Sequence, residues 1–400
     1  MIQPAGEKRA SIVAQVGLKA LTARAVGDAV PMQRLIPITR LHRPYEYVSA
    51  HFKRKYWVYI LAAHVILLAT LGLRHEPWAD EAQAWLLAKD SSVADLLVKY
   101  LRYEGSPGLW HLILMPVAKS NLPYFTITII SGIFATIGVW LFLRYSPFPF
   151  IIKLLFPFSY FAFFQYGVVA RSYCLIPPLL FSLAIKYQTR MEQPYFFILL
   201  LCLLANVSTQ GLLISMGIFS VHLLGVLKGW KRLDKRAIAH QAAAAAIFAL
   251  VVGLVFLVLL PPSDLTFARG SNFGIYRFYR VTGLMLSRAL TVDPMLGGGI
   301  FLRLQQAVAL VVMIITLWWF RRKKKLLLYL APLTAFLLLS AVKWHNFWHE
   351  GIPFFLWLFV LWVSFEERRN GEPSSLARRV VVVSIVVVLS VQVYWSAQAF

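Results

Sequence analysis

The chain has 400 residues, of which 59% are hydrophobic and only 14% charged, with a mean hydropathy of +0.67. A soluble domain carries about 25% charged residues, so soluble, disordered, fibrous and disulfide-scaffold classes are excluded. The apolar runs are continuous rather than alternating and approach the ~20 residues that cross a bilayer as helix, which excludes an outer-membrane barrel and predicts an all-α, polytopic membrane protein.

Residues 1–55 come first, with a basic excess and no apolar core near the start. They are expected to be a basic cytoplasmic arm rather than a cleaved signal peptide, with an overextended reading-frame start as the other reading. Eleven spans follow, at 56–73, 122–143, 150–167, 173–187, 195–208, 211–227, 238–260, 301–320, 326–342, 351–365 and 380–396. The fourth, fifth and tenth are short, which tilt or local bilayer thinning accommodates. Fusing the fourth with the fifth is the main alternative and would invert everything downstream. With the N-terminus in the cytoplasm, 28 of the 40 Lys and Arg fall inside and 12 outside, while the acids divide 8 to 9. The net charge of +23 is therefore mainly a positive-inside topology signal and an attraction to anionic cytoplasmic lipid. Nucleic acid is not an expected partner. Residues 56–227 read as a front module containing the first outside loop, 74–121. Residues 228–400 read as a C-terminal transmembrane module with outside loops 261–299 and 343–350.

The first outside loop holds six of the nine outside acids: Glu76, Asp80, Glu81, Asp90, Asp95 and Glu104. One helix is predicted from Trp78-Ala79-Asp80-Glu81 to about Lys89, and another from Ser91 or Ser92 to just before Gly105. In the second, Val93, Leu96, Leu97, Tyr100 and Leu101 would share one face, as in a helix lying in the interface plane. After Gly105-Ser106-Pro107-Gly108, the apolar stretch 109–118 is too short to span and is expected to be a third juxtamembrane helix. Asp80 and Glu81 stand a few residues beyond the first span, where a carboxylate can take a proton from an acceptor hydroxyl at the lipid–water boundary. A structural reading competes, in which Asp80 caps the helix and Gln83 reaches back to complete a capping box.

The corner Gln165-Tyr166-Gly167-Val168-Val169-Ala170-Arg171-Ser172-Tyr173 places a lone arginine between two apolar spans. Arg171 is either a partner for a phosphate or a snorkelling interface residue. In loop 261–299, Arg269, Arg277, Arg280 and Arg288 interleave with Phe273, Tyr276, Phe278 and Tyr279. That pattern suits an anionic head group and stacked sugar faces, or equally an amphipathic helix beside the aromatic belt. Beyond the ninth span, His345 and His349 are four residues apart, at a spacing that could share a metal on a helix. The order differs from His-Glu-x-x-His, and hydrogen bonding to substrate or interfacial packing compete. His64 and His222 lie within spans and are expected to be packed or hydrogen-bonded. Asn206-Val207-Ser208 is a glycosylation sequon at a span end with poor access. Cys174 and Cys202 lie in or beside spans and supply no Cys-rich site.

Trp78-Ala79-Asp80-Glu81 after the first span, juxtamembrane helices behind it and Arg171-Ser172-Tyr173 at the third-to-fourth turn together resemble the GT-C class of integral-membrane glycosyltransferases. Within that class, the branch with protein O-mannosyltransferases and the lipid A aminoarabinose transferase is nearest in style. The resemblance covers roughly 56–227. It implies an inverting transfer of a sugar from a polyprenyl-phosphate carrier to a glycan, lipid or protein acceptor, on the outer side of a cytoplasmic-type membrane such as a bacterial inner membrane. Asp80 or Glu81 would be general base or acceptor-orienting group, and Arg171 would hold the lipid phosphate. The expected substrate-binding set is Arg171, Tyr173, Glu104, His111, Arg277, Arg280, His345 and His349. No cofactor is required by this pattern, and a divalent cation stays open. Ser106-Pro107 stands where the family has His-Pro, and Gln165 occupies the region of the family's second acidic corner. These departures leave the metal requirement and the acceptor open. A transporter or lipid flippase, or a surface-polysaccharide polymerase or ligase, are the rival readings.

Overall fold

A computed structural model describes residues 42–264, 274–292, 300–343, 346–366 and 375–400, without the side chains of 42–54 and 300–302. The chain divides after Arg54. Everything below concerns the unit Lys55–Phe400, which α1 (His42–Gly72) enters. The described residues are mostly helical, with no strand among them.

Each predicted apolar stretch falls on helix. Eight helices among the described residues are long and apolar enough to cross a membrane: Lys55–Gly72, Thr126–Tyr145, Phe150–Val168, Thr209–Arg232, Lys235–Leu259, Arg303–Arg322, Phe347–Glu366 and Ser375–Gln398. Ser172–Lys186, Pro194–Ala205 and Leu326–Val342 are apolar helices short of that length, as is Leu109–Lys119.

Between α1 and the next long helix lie α2 (Ala79–Asp90), α3 and α4 (Leu109–Lys119). In α3, Val93–Asp95, a π turn at Leu96–Tyr100 and Leu101–Glu104 follow without a break. Ser92 caps its start by accepting from the Asp95 N–H. The expected apolar face turns inward except at Val93, with Leu97 and Tyr100 half-buried. Leu96 and Leu101, five apart and matched to the i→i+5 bond of a π turn, are both fully buried, whereas Val93 is exposed. Gly105 ends the helix in the left-handed conformation at φ 62°, the usual helix-ending geometry. Gly108, at φ 102°, holds a backbone conformation that strains any side chain, and a Cβ there would press on Leu101 Cδ1 at 2.5 Å.

Helices α5 (Thr126–Tyr145), α6 (Phe150–Leu155), α7 (Ile176–Lys186), α8 (Pro194–Ala205), α9 (Thr209–Gly229) and α10 (Lys235–Leu259) follow. Pro157 ends regular α-helix after α6. The backbone continues as a 3₁₀ turn at Phe156–Phe158, a π stretch at Phe161–Val168 and a 3₁₀ turn at Ser172–Leu175. His64 Nδ1 meets the Pro157 carbonyl at 2.9 Å and His222 Nε2 meets Gln241 Oε1 at 3.1 Å, so both span histidines are hydrogen-bonded. The chain closes with α11 (Ile275–Thr291), α12 (Ile300–Arg322), α13 (Leu326–Val342), a 3₁₀ turn at Phe347–Glu350, α14 (Gly351–Glu366) and α15 (Ser375–Gln398).

Helix α14 is apolar on every side and is buried from Gly351 to Phe365, as expected of a helix in the centre of a bundle. Phe355 and Trp362 pack into a ring cluster with Phe142, Phe156 and Phe181. Lipid supplies no hydrophobic drive between helices, so close packing holds such a bundle. Helices α9 and α13 approach closely, and a Cβ on Gly217 would lie 2.4 Å from Pro332 Cα. Gly217→Val is therefore expected to cost roughly 1–3 kcal/mol by overpacking. Thermal unfolding of the detergent-solubilised variant should show the corresponding fall in midpoint.

Candidate functional site

Helix α2 presents two adjacent carboxylates in different directions. Glu81 is 2% exposed. Its Oε2 accepts the Trp78 N–H at 2.6 Å and lies 3.1 Å from His75 Nε2, and its Oε1 accepts the Ala170 N–H. The helix cap is thus Trp78 with Glu81 reaching back to its backbone. This corrects the expected Asp80–Gln83 box: the cap falls two residues earlier, so the third helical position is Glu81. Asp80 is left free of capping and turns to Arg171, with Oδ2 2.7 Å from Nη2.

Arg171 lies against two aromatic rings. Its guanidinium lies 4.7 Å from the Trp348 ring centre and 5.3 Å from that of Tyr173, within cation–π range. Its Nη1 is buried with no hydrogen-bond partner among the described residues. The Tyr173 ring also meets His349 edge-on, at 5.8 Å between centroids.

The ion pair borders a pocket of about 320 Å³ lined by Asp80, Glu104, His111, Arg171, Tyr173 and His349, with Tyr103, Thr209, Gln210, Asn346 and Trp348 among the rest. Its floor comes from two turns pinned together. The Leu109 N–H donates to the Asn206 carbonyl at 3.2 Å, and the Thr209 hydroxyl donates to the Gly105 carbonyl at 2.8 Å. Glu104 Oε2 and His111 Nε2 are 3.7 Å apart, too far for a hydrogen bond. Glu104 Oε1 and both His111 nitrogens are buried without hydrogen-bond partners among the described residues. Buried polar groups are normally satisfied, so these atoms mark a place for polar ligand groups. Gln210 Nε2 lies 3.2 Å from His349 Nε2. At the rim, Tyr103 donates to Asp264 Oδ2 at 2.9 Å. That bond is the main cause of a raised Tyr103 pKa, so the phenol stays a donor.

Six of the ten residues singled out in the sequence thus share one pocket, and three others do not. Glu81 does not line it, because both its oxygens are engaged within the fold. Arg277 turns away to donate to the Lys343 carbonyl at 3.2 Å, and Arg280 lines a separate groove. His345 lies outside the described residues, as do Arg269 and Phe273. Gln210, Asn346 and Trp348 carried no sequence signal beyond being polar or aromatic at a helix end. The reach of Gln210 follows only from the turn pairing around Asn206. Among the described residues no group of three or more His, Cys, Asp or Glu is placed to hold a metal ion.

The chain matches no protein-family model, no curated protein and no solved structure.

Removing the Glu81 carboxylate would strand buried backbone N–H groups, at about 1–3 kcal/mol for each unmet donor. Glu81→Ala should lower the unfolding midpoint clearly. Asp80→Ala, at a half-exposed position, should lower it little. Parallel thermal melts of the two purified variants test that contrast.

Proposed function

We propose that the protein is a GT-C-type glycosyltransferase. In this reading the chain crosses a bacterial inner membrane or similar membrane eleven times with its N-terminus in the cytoplasm. It moves a sugar from a polyprenyl-phosphate carrier to a glycan, lipid or protein acceptor on the outer side. The observation that carries the reading is the Asp80–Arg171 ion pair at the wall of a polar pocket, among helices apolar enough to span a bilayer.

Arg171 supplies a charge-assisted contact to the carrier phosphate, a partner for which guanidinium geometry is well matched. Its unpartnered Nη1 and its aromatic clamp support that role. A phosphate at Arg171 draws the guanidinium from Asp80. The carboxylate is then available to accept the proton of an acceptor hydroxyl. The acceptor oxygen attacks the anomeric carbon from the face opposite the phosphate, and the carbon–oxygen bond to the phosphate breaks. The carrier phosphate leaves with the bonding electrons, and the anomeric centre inverts. Glu104, His111, Gln210 and His349 are the groups available to hydrogen-bond sugar hydroxyls. Glu81 is a positioning residue here, acting through Ala170 and the start of α2.

Incubating the purified, membrane-reconstituted protein with labelled polyprenyl-phosphate sugars should give transfer. Asp80→Asn should reduce the rate by about 10²–10⁴-fold, the usual worth of a general base, without weakening donor binding. Arg171→Gln should weaken donor binding itself. Undiminished transfer by Asp80→Asn would overturn the assignment.

Orientation has its own check. In intact cells a membrane-impermeant maleimide should label Ala94→Cys directly and Lys231→Cys only after permeabilisation. Both positions are exposed, and the native Cys174 and Cys202 are buried. The reverse pattern would place the pocket in the cytoplasm.

A further inference from the structure

A second cavity, of about 640 Å³, lies between α11 and α12, lined in part by Tyr276, Tyr279, Arg280, Gly283, Ala309 and Leu310. It falls within the ~300–1,000 Å³ typical of small-molecule sites. Its wall along α12 is mainly apolar. Its rim on α11 is aromatic and basic, with Tyr276 and Tyr279 more than 70% exposed. Tyrosines so placed sit at head-group level in membrane proteins.

The charge at this rim is one-sided. Among the described residues lining the groove, Arg280 alone is charged, and Arg277 and Arg288 lie on the same helix. Arg277 donates to the Lys343 carbonyl, and Arg288 lies 3.7 Å from Glu350. Arg280 is exposed at the groove and makes no ion pair among the described residues. A cation over an apolar slot complements a molecule with an anionic head and a hydrocarbon chain.

We propose that this groove binds an anionic phospholipid, its phosphate on Arg280 between the Tyr276 and Tyr279 hydroxyls and one acyl chain lying along Ala309 and Leu310. The site is separate from the Asp80 pocket and does not depend on the glycosyltransferase reading. A basic side chain beside an anionic lipid gives roughly a fivefold preference. The groove is therefore expected to select phosphatidylglycerol over phosphatidylcholine by about that factor.

The test uses the full chain in nanodiscs with a photoactivatable phosphatidylglycerol, crosslinked sites being mapped by peptide mass spectrometry. Label should appear on α12 near Leu310, and excess phosphatidylglycerol should displace it about fivefold better than phosphatidylcholine. Arg280→Gln should bring the two competitors to parity while leaving the label in place. Gly283→Leu should abolish the label. A Cβ at Gly283 meets no atom within 4 Å, and replacing a helical glycine does not weaken the helix. Label absent from α12, a lipid preference unchanged in Arg280→Gln, or label retained in Gly283→Leu would each overturn the proposal. So would tighter displacement by polyprenyl phosphate, which would make the groove part of a donor site.

Discussion

The carboxylate of Glu81 holds the candidate site together. A buried charge is costly unless charged or hydrogen-bonding partners surround it, and here the Trp78 N–H, the Ala170 N–H and His75 do so. One donor belongs to the start of α2, one to the corner before Arg171 and one to the segment leaving α1. A single side chain thereby sets the distance between the Asp80-bearing helix and the Arg171-bearing corner. The 2.7 Å Asp80–Arg171 contact follows from that clamp more than from its own strength, since a partly exposed ion pair contributes little.

The same logic extends to the irregular backbone. In a chain surrounded by hydrocarbon, non-helical backbone is tolerated only where protein or water satisfies it. The breaks from Pro157 to Leu175 meet that demand through His64 on the Pro157 carbonyl and Glu81 on the Ala170 N–H. The turn at Gly105–Gly108 meets it through Asn206 and Thr209. Two of these satisfied breaks carry the pocket lining, at Arg171–Tyr173 and at Glu104–Ser106. The pocket therefore sits where regular helix stops and side chains take over the hydrogen bonding.

Much of this was legible in the sequence, and the reason differs element by element. Helix existence followed from unbroken apolar length, and the ends of α3 from Ser92 and Gly105, whose chemistry is local. The inward face of α3 was legible at Leu96, Leu97, Tyr100 and Leu101 but not at Val93, and its π turn was not, because no residue type announces one. Arg171 stood out by being alone in apolar surroundings. That Arg277 points elsewhere could not be read from its loop, where four arginines look alike, because its partner is a carbonyl some 66 residues away.

Asp80 and Glu81 show the limit most sharply. As neighbours on one helix they point about 100° apart, so one faces the fold whenever the other faces the pocket. Which does which depends on where the first turn begins. A start two residues later would have placed Asp80 at the cap. With the cap at Trp78, the longer glutamate side chain can reach its own helix's first amide and also the Ala170 N–H, whereas the shorter aspartate extends directly to a guanidinium. Chain length by one methylene, together with a shift of two residues in the cap, separates a carboxylate enclosed by the fold from one on the pocket wall.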